Sequence, residues 1–321
     1  MWLGDLDAIK LSLDARGSAS IRPCIRCKNV LKKDSELTSI DDYFVEISCS
    51  DVSRFDPQSN AEIFTLIDEL LAKKPVTSKT EMKNQEKLSG FNCNPDGAMA
   101  CPLVRENSPP DCWMFDVMHL YYSNGVASLE VCLLLDLMKE EGFTLEMLQD
   151  LFGGTAWQRS HQSATISTTS ARRHLVDPAL FGGEFYKGSA KELFVLLPLL
   201  GFYLNESPMK NLPKLVLPVI SFNVLLEIRL LLSDIKHGVS LDSNRLTELQ
   251  QKHQAAFIAA YGGSHIRPKH HVRMHLQEQF EKTGLLIDTL PMEKKHKAWF
   301  YFISIVKFVV LRWASCPDLS L

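Results

Sequence analysis

Between Ser128 and Tyr261 the chain carries several long apolar stretches at helical spacing, and this constrains the fold more than any motif does. Ser128–Glu140, Leu145–Leu151, Lys191–Leu204 with its internal Pro198, Leu215–Ile235 and the more polar Asp242–Tyr261 each read as a helix. Gly153-Gly154 interrupts the series, and the Ser/Thr/Gln-rich Ser160–Ser170 reads as a mobile loop. Helices this apolar must bury their faces against one another. The expectation is a mainly α protein: a large helical bundle attached to a small α/β portion.

That α/β portion lies near the N-terminus. Tyr43–Cys49 alternates around β-formers and predicts a strand, after a polar turn at Asp34–Asp42. Ala61–Ala72 places Ile63, Leu66, Ile67, Leu70 and Leu71 at helical spacing. Lys73–Ser89 is polar and reads as an exposed helix or a linker. Residues 90–114 hold turn chemistry, Asn94-Pro95-Asp96-Gly97 and Ser108-Pro109-Pro110. No internal repeat of fixed period is present.

Composition narrows the function classes. With 45% hydrophobic and 23% charged residues the chain is of the globular kind. A net charge of −3 means that any nucleic-acid role must rest on a local basic patch. Eight cysteines in 321 residues fit reduced thiols in the nucleus or cytoplasm better than a disulfide framework. No basic segment followed by an apolar run opens the chain, so no signal peptide is read. Ala298–Trp313 is strongly apolar around Lys307, but it falls short of the roughly 20 residues a spanning helix needs, so a buried element is expected there and not a membrane segment. Nucleotide-binding glycine motifs and the G-x-S-x-G elbow are absent, so no nucleotide cofactor is expected.

The chemistry-bearing residues fall into four groups. Cys24 and Cys27 form a C-x-x-C, a spacing that chelates tetrahedral Zn²⁺ when two more ligands join it. Cys49, Cys93, Cys101, Cys112 and His119 are candidates; two ordinary cysteines or a redox pair are the other readings. Asp116 and His119 form a D-x-x-H, read either as a helix N-cap with its histidine one turn on, or as a metal-ligating pair. His265–His296 is basic and histidine-rich. Within it His271 and His275 stand at i, i+4, a spacing suited to bidentate metal binding, while Arg267, Lys269, His271, Arg273, Lys294 and Lys295 are the best candidates for phosphate contact with DNA. A solvated helix with buried histidines is the alternative. Glu293 alone signifies only an acid in a helix's first turn.

Taken in order, these parts resemble the DDE transposases of the CACTA and Kyakuja–Dileera–Zisupton groups, and more distantly the hAT group. Gly4-Asp5, Cys24/Cys27, Asp116/His119 with Asn124-Gly125-Val126, Pro268–Leu276, and Glu293–His296 carry the likeness, which runs to about residue 297. The resemblance implies a partial RNase H-like core with the C-x-x-C in residues 1–60, and a helix with a turn-rich linker in 61–115. It implies an all-helical insertion with the closing catalytic-type helix in 116–297, and a tail outside the family pattern in 298–321. It makes Asp5 (or Asp7) and Glu293 former Mg²⁺ ligands for DNA strand cleavage and transfer. Cys24, Cys27 and His119 become a structural zinc set. Because four residues precede Asp5, it also implies that the first catalytic Asp is missing, that the chain is inactive alone, and that an exposed sheet edge favours self-association.

Overall fold

Side-chain caps decide where the helices start. Ser59 and Ser189 each open one through a capping box, accepting from the backbone N–H of Glu62 or Glu192 while that carboxylate bonds back to the cap's own N–H. The protein is described here from a computed structural model, which defines residues 2–4, 6–32, 41–154, 174–236, 244–284 and 286. In chain order the elements are β1 (Trp2–Gly4), α1 (Leu6–Ser12), β2 (Val30–Leu31), β3 (Val45–Glu46), α2 (Asn60–Lys73), α3 (Lys79–Ser89), α4 (Pro102–Asn107), β4 (Trp113–Phe115) and α5 (Val117–Tyr121). Then follow α6 (Val126–Glu140), α7 (Leu145–Gly154), α8 (Ala190–Glu206), α9 (Val216–Lys236), α10 (Arg245–Tyr261), α11 (Pro268–Val272) and α12 (Leu276–Thr283). The fold is mainly helical, as expected, and the described residues all fall in one compact unit, Met1–Ile287. The Ser160–Ser170 loop and the apolar Ala298–Trp313 lie outside the described residues.

Two short parallel pairs make up the strand content of the described residues. β1 runs beside β4 with Trp2↔Trp113, Leu3↔Met114 and Gly4↔Phe115 in register, and β2 runs beside β3. The strand expected over Tyr43–Cys49 contracts to Val45–Glu46, because a turn closed by Cys49 N–H to the Glu46 carbonyl (2.9 Å) folds it back. The polar Lys73–Ser89 stretch resolves in favour of a helix. Ser78 caps α3 by accepting from the Glu81 N–H, and Gly90, at φ 88°, ends it in the left-handed conformation that glycine adopts without steric cost.

The bundle centres on α6, α8, α9 and α10. Residues Val216–Ile235 of α9 are long and apolar enough to cross a membrane, and in this fold Phe222, Leu225 and Ile228 lie in the core. Gly201 lets α8 approach α9 closely: a Cβ there would sit 2.3 Å from Leu226 Cδ1. Pro198 lacks the N–H that would bond the Phe194 carbonyl. Arg229 on α9 supplies the donor instead, with Nε 3.1 Å from that oxygen and the guanidinium 4.0 Å from the Phe194 ring centroid.

A carboxyl side chain also sits inside the bundle. Glu130 on α6 is fully buried, accepting from Ser221 Oγ at one carboxylate oxygen (2.6 Å) and facing His253 Nε2 at the other (2.6 Å). Burial holds His253 below its ordinary pKa against the opposing pull of Glu130.

Two expectations follow. Arg229→Ala should cost about 1–3 kcal/mol by orphaning the Phe194 carbonyl. The same change should cost less in a Pro198→Ala background, where residue 198 regains an N–H; equal costs in urea unfolding of the two backgrounds would refute this account. For His253 the unfolded chain binds a proton near pH 6.5 that the folded chain refuses, so stability falls as pH drops below that value. His253→Gln keeps a donor for Glu130 and cannot titrate. Between pH 7.0 and 5.5 the wild type should therefore lose more stability than the variant, by up to about 1.4 kcal/mol per pH unit.

Candidate metal centre

Cys24 and Cys27 lie in an irregular segment pinned at three points. Cys27 bridges to Pro57, with Lys28 N–H on the Asp56 carbonyl (3.0 Å) and Gln58 N–H on the Arg26 carbonyl (2.8 Å). Arg26 donates to the Trp113 carbonyl on β4 (2.7 Å), and its own backbone N–H points at Cys24 Sγ (3.3 Å). Both thiols are therefore buried and turned the same way.

Opposite them stand His271, on α11, and His275, on the 3₁₀ turn that follows. Their i, i+4 spacing puts both imidazoles on one face. His275 Nε2 lies 3.4 Å from Cys24 Sγ, 3.3 Å from Cys27 Sγ and 3.3 Å from His271 Nε2. All four donor atoms fall within 4.8 Å of one another. A tetrahedral site with metal–sulfur bonds of about 2.3 Å and metal–nitrogen bonds of about 2.0–2.1 Å has edges of roughly 3.3–3.8 Å, so this set can hold a metal ion.

The surroundings orient the donors. Glu278 Oε2 lies 3.7 Å from His275 Nδ1, an outer carboxylate of the kind that fixes a metal-ligating imidazole. Phe55 packs edge-on against His271 with centroids 4.6 Å apart, and Phe115 covers His275. Burial opposes charge on Cys24, yet the Cys27 thiol and the two imidazoles hold it well below the usual thiol range. Cys27, bonded to that thiolate and buried, is pushed up. Burial would lower His275, but the Cys24 charge and Glu278 outweigh it and raise the imidazole to about 9, while burial lowers His271. Thiols and imidazoles placed together in this way bind a divalent cation with release of protons.

The other residues singled out from sequence fall elsewhere. Asp116 and His119 pair with each other and are not members of the four-residue cluster. Asp116 is 1% exposed, caps α5 through the Met118 N–H (3.1 Å), and bonds His119 Nδ1 with its second oxygen. The expected phosphate-contacting face needs correction: His271 and Arg273 are both fully buried, so neither can reach a phosphate. Arg273 donates to the His270 carbonyl (3.3 Å) and faces Gln254 and the Tyr121 ring. Arg267 pairs with Glu184 (Nε–Oε1 2.8 Å), and Lys269 donates to the Ser123 carbonyl (2.8 Å). Asp5, Glu293, Lys294 and Lys295 lie outside the described residues. Sequence reasoning missed Glu278, Phe55 and the buried Glu130–His253 pair; an acid inside the apolar run Ser128–Glu140 was the available signal for the last.

Comparison of the chain with known protein families, with curated proteins and with solved structures finds no match. The site therefore stands on its geometry.

Purified protein should contain about one metal ion per chain by elemental mass spectrometry, falling to background in Cys24→Ser and His275→Ala. A His119→Ala variant should keep its metal; loss there, with retention in His275→Ala, would refute the assignment.

Proposed function

We propose that the chain is a transposase-derived, zinc-stabilised DNA-binding protein. The observation that supports descent best is the register of β1 and β4. Gly4 pairs with Phe115 in parallel, and in sequence Asp5 follows the first and Asp116 the second. Two neighbouring strands of one direction, each followed by an aspartate, fit the closing acids of an RNase H-like core. On this reading Asp116 joins Asp5 and Glu293 among the ancestral Mg²⁺ carboxylates, where the metal would activate water or a 3′-hydroxyl and stabilise the leaving oxygen. Asp116 as it stands serves its own helix and His119.

Zinc is the metal that two thiols and two imidazoles in a tetrahedral set favour. Four protein donors also close the site, which suits structure and leaves no position for substrate. That closure, with the burial of His271 and Arg273, favours a second reading in which the chain is a non-enzymatic zinc-stabilised helical interaction or DNA-binding module.

Duplex binding tests what the first reading needs. Fluorescence anisotropy with a labelled 20-base-pair duplex should show affinity falling log-linearly as salt rises from about 50 to 200 mM. No binding at the lowest salt would sink the DNA-binding reading and leave the interaction module.

A further inference from the structure

With two of the expected phosphate contacts buried, a DNA-binding chain of net charge −3 needs another cationic face, and α3 carries one. Lys79, Lys83 and Lys87 repeat every four residues along it, and all three are exposed. Successive lysines are therefore about 6 Å apart along the axis, and the outer two about 12 Å. None of the three makes an ion pair among the described residues.

The acids of the same helix do not neutralise the row. Glu86 is turned inward onto Arg16 (2.6 Å) and the Cys93 N–H (2.9 Å), and Glu81, which accepts from Gln85 (2.9 Å), lies roughly 120–160° around the helix from the three lysines. Backbone pairing extends the row beyond the helix. The Ile21 N–H bonds the Lys87 carbonyl (3.0 Å) and the Ile21 carbonyl accepts from the Lys32 N–H (2.7 Å), which brings exposed Lys32 next to the C-terminal end of the row. Exposed Lys73 and Lys74, at the end of α2, add charge near the other end.

We infer that the row Lys79, Lys83, Lys87 and Lys32 is a docking surface for the phosphate backbone of duplex nucleic acid. This rests on the DNA-binding reading above and names the surface that performs it. Charge complementarity selects a polyanion, and the helix's orientation selects which one. An amphipathic helix that lies in a bilayer inserts its apolar side. α3 has only two apolar side chains, Met82, buried in the protein's own core, and Leu88, 44% exposed, too few to form an inserting face, while its lysines face outward. A lysine row of about 12 Å matches the width of the duplex major groove, so its ends can reach phosphates on both walls.

The test uses the full chain with Lys79→Ala, Lys83→Ala and Lys87→Ala combined, changes at exposed positions that leave the metal centre untouched. The variant should keep wild-type metal content and unfolding midpoint. Its affinity for the labelled 20-base-pair duplex should drop at least about tenfold at 0.1 M salt, and the slope of log K against log salt should shrink by about 2.7, three contacts at roughly 0.9 each. The matching Lys→Arg triple should bind like the wild type. If the wild type binds duplex and the alanine triple binds equally, this surface is wrong while the DNA reading stands. If the wild type does not bind duplex at all, both fall. Binding of phosphatidylserine-containing vesicles, but not duplex, lost in the alanine triple would reassign the row to a membrane surface and overturn the inference.

Discussion

The meeting of Cys24 and Cys27 with His271 and His275 is the constraint on which the rest of the fold depends. Cys27 and His275 are 248 residues apart, so the cluster closes nearly the whole described chain on itself. In the chain-entropy picture a cross-link over such a loop removes on the order of 5 kcal/mol of unfolded-state freedom. Apart from its bonds to residues 56–58 and to the Trp113 carbonyl, the segment holding the cysteines has little regular structure around it. Its neighbours β2 and β3 are two residues each, and a two-stranded ribbon is marginal by itself. A metal bound at this cluster would stand where a larger sheet would otherwise be needed.

The centre is wired to the bundle through polar side chains of α10. Gln254 donates to the carbonyls of Ile47 (3.0 Å) and Cys49 (3.2 Å), finishing the strand that packs beside the cysteines. Gln250 donates to the Tyr121 hydroxyl and to the Arg273 carbonyl, and Arg273 lies in sequence between the two ligating histidines. One turn further along α10, His253 engages Glu130 of α6. Buried polar groups of this kind are costly unless paired, so these bonds favour one packing of α10 in a way that an apolar seam would not, although Gln250 Oε1, His253 Nδ1 and Arg273 Nη1 have no hydrogen-bond partner among the described residues.

How much of this was legible in the sequence differs by level. Helix positions such as Lys191–Leu204 followed from apolar spacing because that signal is local, while the cap that opens this helix, Ser189 with Glu192, came only with the structure. The strand at Tyr43–Cys49 was overdrawn, since alternation cannot show where a turn will cut it. Both halves of the metal cluster were visible, the C-x-x-C and the i, i+4 histidines. What no local pattern carries is a pairing across 248 residues. The sequence leaves Cys49, Cys93, Cys101, Cys112 and His119 as candidates beside the cysteines, the family resemblance points to His119, and in the fold His119 pairs with Asp116. The basic run from Arg267 to Arg273 misled for the same reason: charge in sequence says nothing of which side chains the fold turns inward.

The donor set also decides what kind of centre this can be. A catalytic metal keeps one position open for water or substrate, while four protein donors leave none. Here the imidazoles pack against Phe55 and Phe115, and all four donor residues are buried, so a metal held by them would act as a staple. At the end of β4, Asp116 is engaged by the Met118 N–H and by His119, and it is 1% exposed. Freeing that carboxylate would cost α5 its cap and His119 its partner, so the local stability of this helix opposes the use of its first residue as a metal ligand.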